Sequence, residues 1–535
     1  MKKQLLLVLL IANLCYSQED AWVFFANKPN AATYLANPLT MLTQRSLDRR
    51  AVQGISLDLL DVPIAQTYID QVIASTGITV MAKSKWLNAL HVRGTQANIQ
   101  ALANLTFVGS IRFANHTLNG RYSNAPIPIS PVQKQMEVTT TFNYGSSANQ
   151  IQMLNGHLLH QQDYTGTGKI IAVLDSGFQN VNVDAPFQRL FTNNLIVGGY
   201  NYVSQNTNVY ALHNHGTMVL SCMGGYVEGQ LVGTAPDAQY YLFVTEDVAS
   251  ENPVEESYWV EAAEEADRLG ADIITSSLGY FTYDNPSYSH TYNQMTGNFA
   301  FASRGANIAF LKGMVVIASA GNSGATSNPY IGVPAEATHV LAVGAVGSDE
   351  MYAPFSSIGP AFDGRVKPDI MAQGQAAVVA NIGGAVVTAN GTSFSAPIMA
   401  GLVASFWSAV PNLSARQVVQ LVKQSSDKYT VPSNLYGYGI PDFQLALTTA
   451  LRNYNFEADE YVIYPNPMRD ELKIELPPNA PNARLYLYNN LGQKVCDQLW
   501  TSDSKSIDVS HLSSGIYIYE LLTNNKSHSG KIIKK

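Results

Sequence analysis

Ile170-Ile171-Ala172-Val173-Leu174-Asp175-Ser176-Gly177 is an unbroken apolar run that ends in a carboxylate and a glycine. A strand buried on both faces reads this way, because polar and apolar residues alternate only where one face meets water. Runs of the same kind recur at 240–244, 273–274, 314–318 and 340–346. Helical segments lie between them. One covers 255–269, with Trp259, Ala262, Ala263, Ala266 and Leu269 on one face and Gly270 as its stop. Buried strands alternating with helices predict an α/β domain over 149–451, with a parallel sheet covered on both faces. The site of such a sheet lies outside the carboxyl ends of its strands, so the polar residues that follow each run carry the functional reading.

The rest of the chain reads differently. Its 535 residues predict about three domains. With 46% hydrophobic residues there is material for packed cores, while charged residues, at 13%, are about half the usual share. The net charge of −8 and the lack of a long basic run exclude phosphate-driven nucleic-acid binding. Met1-Lys2-Lys3-Gln4 followed by an apolar run to Leu14 predicts a secretory signal peptide over 1–17. Cys15 falls in that leader, which leaves Cys222 and Cys496, too few for a disulfide scaffold. No later stretch reaches 18 apolar residues, so a soluble exported protein without a transmembrane span is expected.

Residues 22–113 alternate strand and helix signals in an order close to βαββαβ, a small α+β domain. From 114 to 148 the chain is rich in Asn, Ser, Thr and Pro and reads as linker. Over 457–535, short alternating strands separated by Pro, Asn and Gly turns predict a β-sandwich.

Three polar clusters sit at element ends in the middle domain. Asp175-Ser176-Gly177 closes a strand. His213-Asn214-His215-Gly216-Thr217 opens a helix, and Asn390-Gly391-Thr392-Ser393-Phe394-Ser395-Ala396-Pro397 precedes the apolar helix 398–407. Each alone is ordinary: a turn, a cap, a helix start. Together they supply a nucleophilic triad, in which a serine hydroxyl loses its proton to an imidazole whose tautomer a carboxylate fixes. Two rival chemistries lack their signatures. His213 and His215 alternate, but no His-Glu-x-x-His helix or Cys cluster accompanies them. A Gly-x-Ser-x-Gly elbow is absent.

The order Asp, His, Ser resembles the subtilisin-like serine proteases, the subtilases, over roughly 300 residues. The resemblance implies Asp175 as orienting acid, His215 as general base and Ser393 as nucleophile. In Ala318-Ser319-Ala320-Gly321-Asn322-Ser323-Gly324, Asn322 falls on the oxyanion-hole position. Ser277, Leu278 and Gly279, in the stretch 271–279, look like the segment that pairs with substrate backbone, and Gly233-Thr234-Ala235-Pro236 is a further landmark. Phe394-Ser395 stands where many members have Met-Ala, and Ile398 where His is frequent. The implied function is a secreted serine endopeptidase acting on proteins or peptides through an acyl-enzyme. The alternative is a catalytically inactive binding or surface protein on the same fold. No cofactor is required for catalysis. Structural calcium fits the family, but spacing assembles no ligand set and assigns no metal site.

The flanks share in the resemblance. Residues 22–113, with Leu87-Asn88-Ala89-Leu90-His91-Val92, look like a subtilase propeptide, an inhibitor and chaperone removed in the 114–148 maturation region. The C-terminal part, with Tyr464-Pro465-Asn466-Pro467 and Leu512-Ser513-Ser514-Gly515-Ile516-Tyr517, resembles the sorting domain of type IX secretion substrates. That implies export through the periplasm of a Gram-negative bacterium to the cell surface or medium, with the secretion machinery as partner. Two stretches read as solvated surface: the loop 280–298, and the acidic helix start with Glu246, Asp247, Glu251, Glu255 and Glu256.

Overall fold

The computed structural model describes residues 18–119, 142–452, 462–476, 482–489, 492–501, 504, 506–523 and 526–535. The expected signal peptide and most of the expected linker lie outside the described residues. The chain forms two units, Met1–Ala450 and Leu451–Lys535.

The first unit begins with an antiparallel sheet, in order β2-β3-β1-β4, built from β1 (Gln18–Phe25), β2 (Ile78–Ser84), β3 (Ala89–Thr95) and β4 (Val108–Phe113). Helices α3 (Gln66–Ile73) and α4 (Gln96–Ala101) pack against its Val23, Leu90 and Val92 face. The expected βαββαβ order is present, with α1 (Ala31–Leu35) and α2 (Gln44–Val52) added between β1 and α3. Periodicity misses α2 because its buried face is Ser46, Arg49 and Arg50 rather than an apolar stripe. The opposite face of the sheet, with Trp22, Trp86 and Leu87, shares one continuous apolar cluster with the central domain.

The stretch read as linker is packed at both of its described ends. Ala114 is buried, and Tyr144 bonds His160 Nδ1 at 2.9 Å through its hydroxyl. Two short helices follow, α5 (Ala148–Gln152) and α6 (His157–His160).

The central sheet has seven parallel strands in the order β13-β12-β11-β10-β5-β9-β6. In chain order they are β5 (Ile170–Asp175), β6 (Ile196–Asn201), β9 (Gln239–Val244), β10 (Ile273–Ser276), β11 (Val315–Ser319), β12 (Leu341–Val346) and β13 (Ile370–Gln373). A small hairpin, β7 (Tyr226–Val227) with β8 (Leu231–Val232), precedes β9, and a second, β14 (Ala377–Ala380) with β15 (Val386–Ala389), follows β13. Every residue of β5, β10, β11 and β12 is buried, as their unbroken apolar runs require. Helices α7 (Gln188–Thr192), α8 (His215–Gly224), α9 (Val254–Leu269), α10 (Phe301–Leu311), α11 (Thr392–Ala409), α12 (Ala415–Gln424) and α13 (Phe443–Arg452) complete the domain. Helix α11 is buried from Thr392 to Trp407, which explains why it is apolar all round. The chain leaves β5 towards β6 on one side and leaves its neighbour β10 towards β11 on the other, so the topological switch point lies beyond the carboxyl ends of β5 and β10.

The second unit pairs a three-stranded sheet, β16 (Val462–Tyr464), β17 (Glu471–Glu475) and β20 (Ile507–Asp508), with a four-stranded one. The latter runs β19-β18-β21-β22, from β18 (Asn482–Tyr488), β19 (Lys494–Thr501), β21 (Gly515–Thr523) and β22 (Lys526–Lys534). Leu472, Leu485, Leu487, Val509 and Leu521 form its core. The expected strand-rich C-terminal domain is what is found.

Candidate active site

Asp175 ends β5 and His215 begins α8, and two glycines let these elements meet. Gly177 has φ +146°, and a Cβ there would lie 2.7 Å from Ala211 O and from His213 N. A Cβ on Gly216 would lie 2.5 Å from Gly177 O and 3.0 Å from Asp175 Cβ. With both absent, His215 Nδ1 reaches Asp175 Oδ1 at 2.8 Å. The same oxygen accepts from Ser176 N at 2.8 Å and Ser176 Oγ at 3.2 Å. Burial lowers the affinity of His215 for a proton. The charge of Asp175 and its hydrogen bond outweigh that, and the imidazole titrates above its ordinary value of 6.5. His213 is an outer residue of the cluster: its Nδ1 lies 3.3 Å from Ser176 Oγ and accepts from His215 N at 3.3 Å.

Ser393 is the second residue of α11, and the ring of Phe394 beside it stands 6.1 Å from that of His215. Among the described residues its hydroxyl donates to Ser277 O at 3.4 Å, a long bond, rather than to His215. Asn322 lies in the turn after β11. Its Oδ1 accepts from Thr392 N at 2.9 Å and Thr392 Oγ1 at 3.0 Å. The amide is therefore oriented with Nδ2 as its outward donor, near Gly391. Ser277, Leu278 and Gly279 follow β10 outside any ladder. Ser277 is buried, Leu278 half-buried and Gly279 exposed.

A profile of the Subtilase family matches residues 166–439, just over half of the chain. The chain belongs to the subtilase family. Profiles of the Bacteroidota peptidase S8 propeptide domain and of the secretion-system C-terminal sorting domain match 20–128 and 462–535. The subtilase is 30% identical over 299 residues to Subtilisin NAT of Bacillus subtilis subsp. natto, covering 55% of this chain and 70% of that one. It is equally similar to subtilisin of Bacillus pumilus, covering 97% of the latter. The MycP3 protease of the type VII (ESX-3) secretion system aligns with 23% identity and a TM-score of 0.45, over 59% of this chain and 92% of its own. The sorting domain implies secretion through a Gram-negative, Bacteroidota-type envelope. Among the described residues no helix is long and apolar enough to cross a membrane.

The propeptide of this subtilase lies along α9. Glu264 accepts from Ser84 Oγ at 2.6 Å, Trp86 N at 2.9 Å and Lys85 N at 3.0 Å. Ser257 accepts from Trp22 Nε1 at 2.8 Å and meets His91 Nδ1 at the same distance. Two expectations hold only in part. The loop 280–298 is solvated only in part: Thr282, Asp284, Asn285, Pro286, Thr291 and Asn293 are exposed, but Tyr280, Tyr283, Tyr288 and His290 are buried, with their hydroxyl and imidazole groups on Glu246, Glu256 and Glu19. Of the acidic helix start, Glu251 is exposed and Asp247 half-buried, but Glu246, Glu255 and Glu256 are buried. Glu256 is fully buried, bonded by His290 Nε2 at 2.7 Å, Tyr283 OH at 2.8 Å and Ala302 N at 2.9 Å. Glu255 folds back to accept from Asp247 N and Asn252 N, and Glu246 accepts from Tyr280 OH at 2.5 Å. These carboxylates are spent on protein donors. Among the described residues no group of three or more His, Cys, Asp or Glu side chains forms a metal-holding set.

The residues that reading by motif passes over are Ser176, Thr392 and Pro397. Thr392 sits in the Gly-Thr-Ser run, and its spacing from Ser393 carries no hint that it orients Asn322.

Proposed function

We propose that the protein is a secreted serine endopeptidase whose nucleophile is Ser393, with His215 as general base and Asp175 as the group that orients it. The observation that carries this reading is the 2.8 Å Asp175–His215 bond at the end of β5, made by Nδ1, which leaves Nε2 to take the serine proton. The Ser393 oxygen adds to a peptide carbonyl, and the proton it gives to His215 passes to the leaving amine. Water then hydrolyses the ester and restores Ser393. Ser393 N, at the positive end of α11, and Asn322 Nδ2 donate to the oxyanion. The substrate backbone lies along 277–279, where Leu278 and Gly279 offer unladdered edge groups. The propeptide blocks the enzyme until it is removed, and the sorting domain is cut away on export.

The long Ser393–Ser277 bond favours a second reading, an inactive subtilase-fold binding protein. Catalytic hydrogen bonds are often loose before substrate arrives, which supports the active one. A fluorophosphonate probe decides. It should label wild type and the Ser395→Ala variant but not Ser393→Ala, and peptidase activity should follow the label. Ser395 already spends its hydroxyl on Thr392 O at 2.9 Å. No labelling of the wild type would leave the inactive reading.

A further inference from the structure

The chain just before the general base is bent out of regular structure. Residues 209–213 lie along 177–179. Phe178 N donates to Val209 O at 3.0 Å and Gln179 N to His213 O at 3.4 Å, while Gly177 and Leu212 form an antiparallel bridge. In this approach Leu212 takes φ +70°, a left-handed backbone that a leucine adopts only under constraint. Its side chain is 49% exposed, so burial does not account for the conformation. What the bend achieves is placement: it sets the next ring, His213, against Ser176 and the start of α8.

One atom of that ring meets two groups of the triad region. His213 Nδ1 accepts from His215 N at 3.3 Å and lies 3.3 Å from Ser176 Oγ, which donates to Asp175 Oδ1 at 3.2 Å. His215 is the first residue of α8, and the first N–H groups of a helix have no acceptor within it. Asn214, at the capping position, makes no side-chain cap bond, and its amide donates instead to Asn381 Oδ1 at 2.8 Å. His213 thus supplies the acceptor that Asn214 does not. With the Nδ1 lone pair facing His215 N–H, the single proton of Ser176 is left for Asp175. The His215 side chain is 22% exposed, so packing alone does not fix its ring, and the hold on its backbone matters.

We propose that His213 is a positioning residue for the general base: its Nδ1 caps the start of α8 and keeps His215 Nδ1 in register with Asp175 Oδ1. The kinetic consequence rests on the peptidase reading. Without the acceptor, the backbone of His215 is free to shift, and a displacement of about 1 Å in a reacting group can cost on the order of 10²-fold in rate. The segment 277–279 is untouched, so the loss falls on kcat and not on KM.

The test compares two variants of the full-length chain. His213→Leu removes the acceptor. His213→Asn restores one, because an Asn side-chain oxygen accepts from the N–H two residues on. Both remove any charge at 213, so their difference isolates the acceptor. Asp175 on β5 and Glu246 after β9, the titratable groups on the other side of the pair, are the same throughout. His213 is exposed, so neither change disturbs a core, and His213→Ala serves if the Leu variant does not fold. NMR of ¹⁵N-histidine-labelled protein, with His215 assigned by its loss in His215→Gln, reads the His215 titration without turnover. Its midpoint should drop towards 6.5 in His213→Leu and stay raised in His213→Asn. In peptide hydrolysis His213→Leu should lose about five- to twentyfold in kcat with KM within about twofold, and His213→Asn should recover most of that loss. An unmoved midpoint in His213→Leu, equal shifts in the two variants, or a rate defect carried by KM overturns the proposal. Failure of the peptidase reading looks different: the wild type too would neither hydrolyse peptide nor take a fluorophosphonate label, while the midpoint would still separate Leu from Asn.

Discussion

Ser277 and Ser393 hold each other: the Ser277 hydroxyl donates to the Ser393 carbonyl at 2.8 Å, and the Ser393 hydroxyl to the Ser277 carbonyl at 3.4 Å. The reason lies four residues along α11. Pro397 has no N–H, so the Ser393 carbonyl lacks its helical donor and takes one from the strand end instead. The nucleophile is thereby tied to the segment on which substrate would lie.

Ser277→Ala should therefore cost about 1–3 kcal/mol in stability, the penalty for a buried carbonyl left without a donor. Adding Pro397→Ala should recover part of it, because residue 397 then supplies an N–H. A double-mutant cycle in urea checks this coupling, and strictly additive losses would contradict it.

Activity should fall on acidification with a midpoint above 6.5, since His215 must be neutral to accept a proton and its pKa is raised in the folded state. The stability contributed by protonated His215 beside Asp175 has the opposite sense: it is complete below the unfolded value and is lost as pH rises through the folded one. Asp175→Asn removes the charge that raises the pKa. Its pH–rate profile should shift to lower pH and its kcat should drop about 10⁴-fold. A midpoint unmoved by that change would mean the profile reports another group.

Asn322→Ala should lower kcat by about 10²–10³ and leave KM within a few-fold, because the bond strengthens only as charge develops on the substrate oxygen. Thr392→Val keeps the backbone bond to Asn322 Oδ1 but removes the hydroxyl bonds to Asn322 and Gly321 N. A loss of about tenfold in kcat, intermediate between wild type and Asn322→Ala, is expected. A defect carried wholly by KM would make Asn322 a substrate-binding residue.

Burial raises the pKa of Glu256, but His290 and its hydrogen-bond donors more than compensate and hold it down to about 2. Its contribution to stability is present above the unfolded value near 4.5 and vanishes as pH falls through about 2. Glu256→Ala leaves the buried donors of Tyr283, His290 and Ala302 without their acceptor, at about 1–3 kcal/mol for a buried group left unsatisfied, and the difference should shrink towards pH 2. Urea midpoints across that range measure it.

What the sequence made legible was whatever follows from apolar pattern or local motif. The runs around Val173, Ile274, Ile317 and Val343 were readable as buried strands, and Asp175, His215 and Ser393 as the ends of three elements. Buried polar residues were not readable, because their burial depends on partners distant in sequence. Arg49 and Arg50 look like a solvated helix until Asp267 is placed opposite them. Glu256 looks like an ordinary helix start until His290 arrives from a loop 34 residues away. Strand β6 was missed for a related reason: Ile196–Asn201 carries two glycines that interrupt its apolar run.

Trp22 of the propeptide stacks on Phe301 of the catalytic domain, with ring centroids 5.1 Å apart, inside a single apolar cluster common to both. Calorimetrically, propeptide and catalytic domain then have no boundary between them at which to come apart, and the two should melt together in one transition. Cutting the chain leaves that cluster intact. Losing the fragment wets Phe301 and its neighbours, so the heat capacity of the folded enzyme rises while its melting transition becomes smaller and loses the propeptide's share.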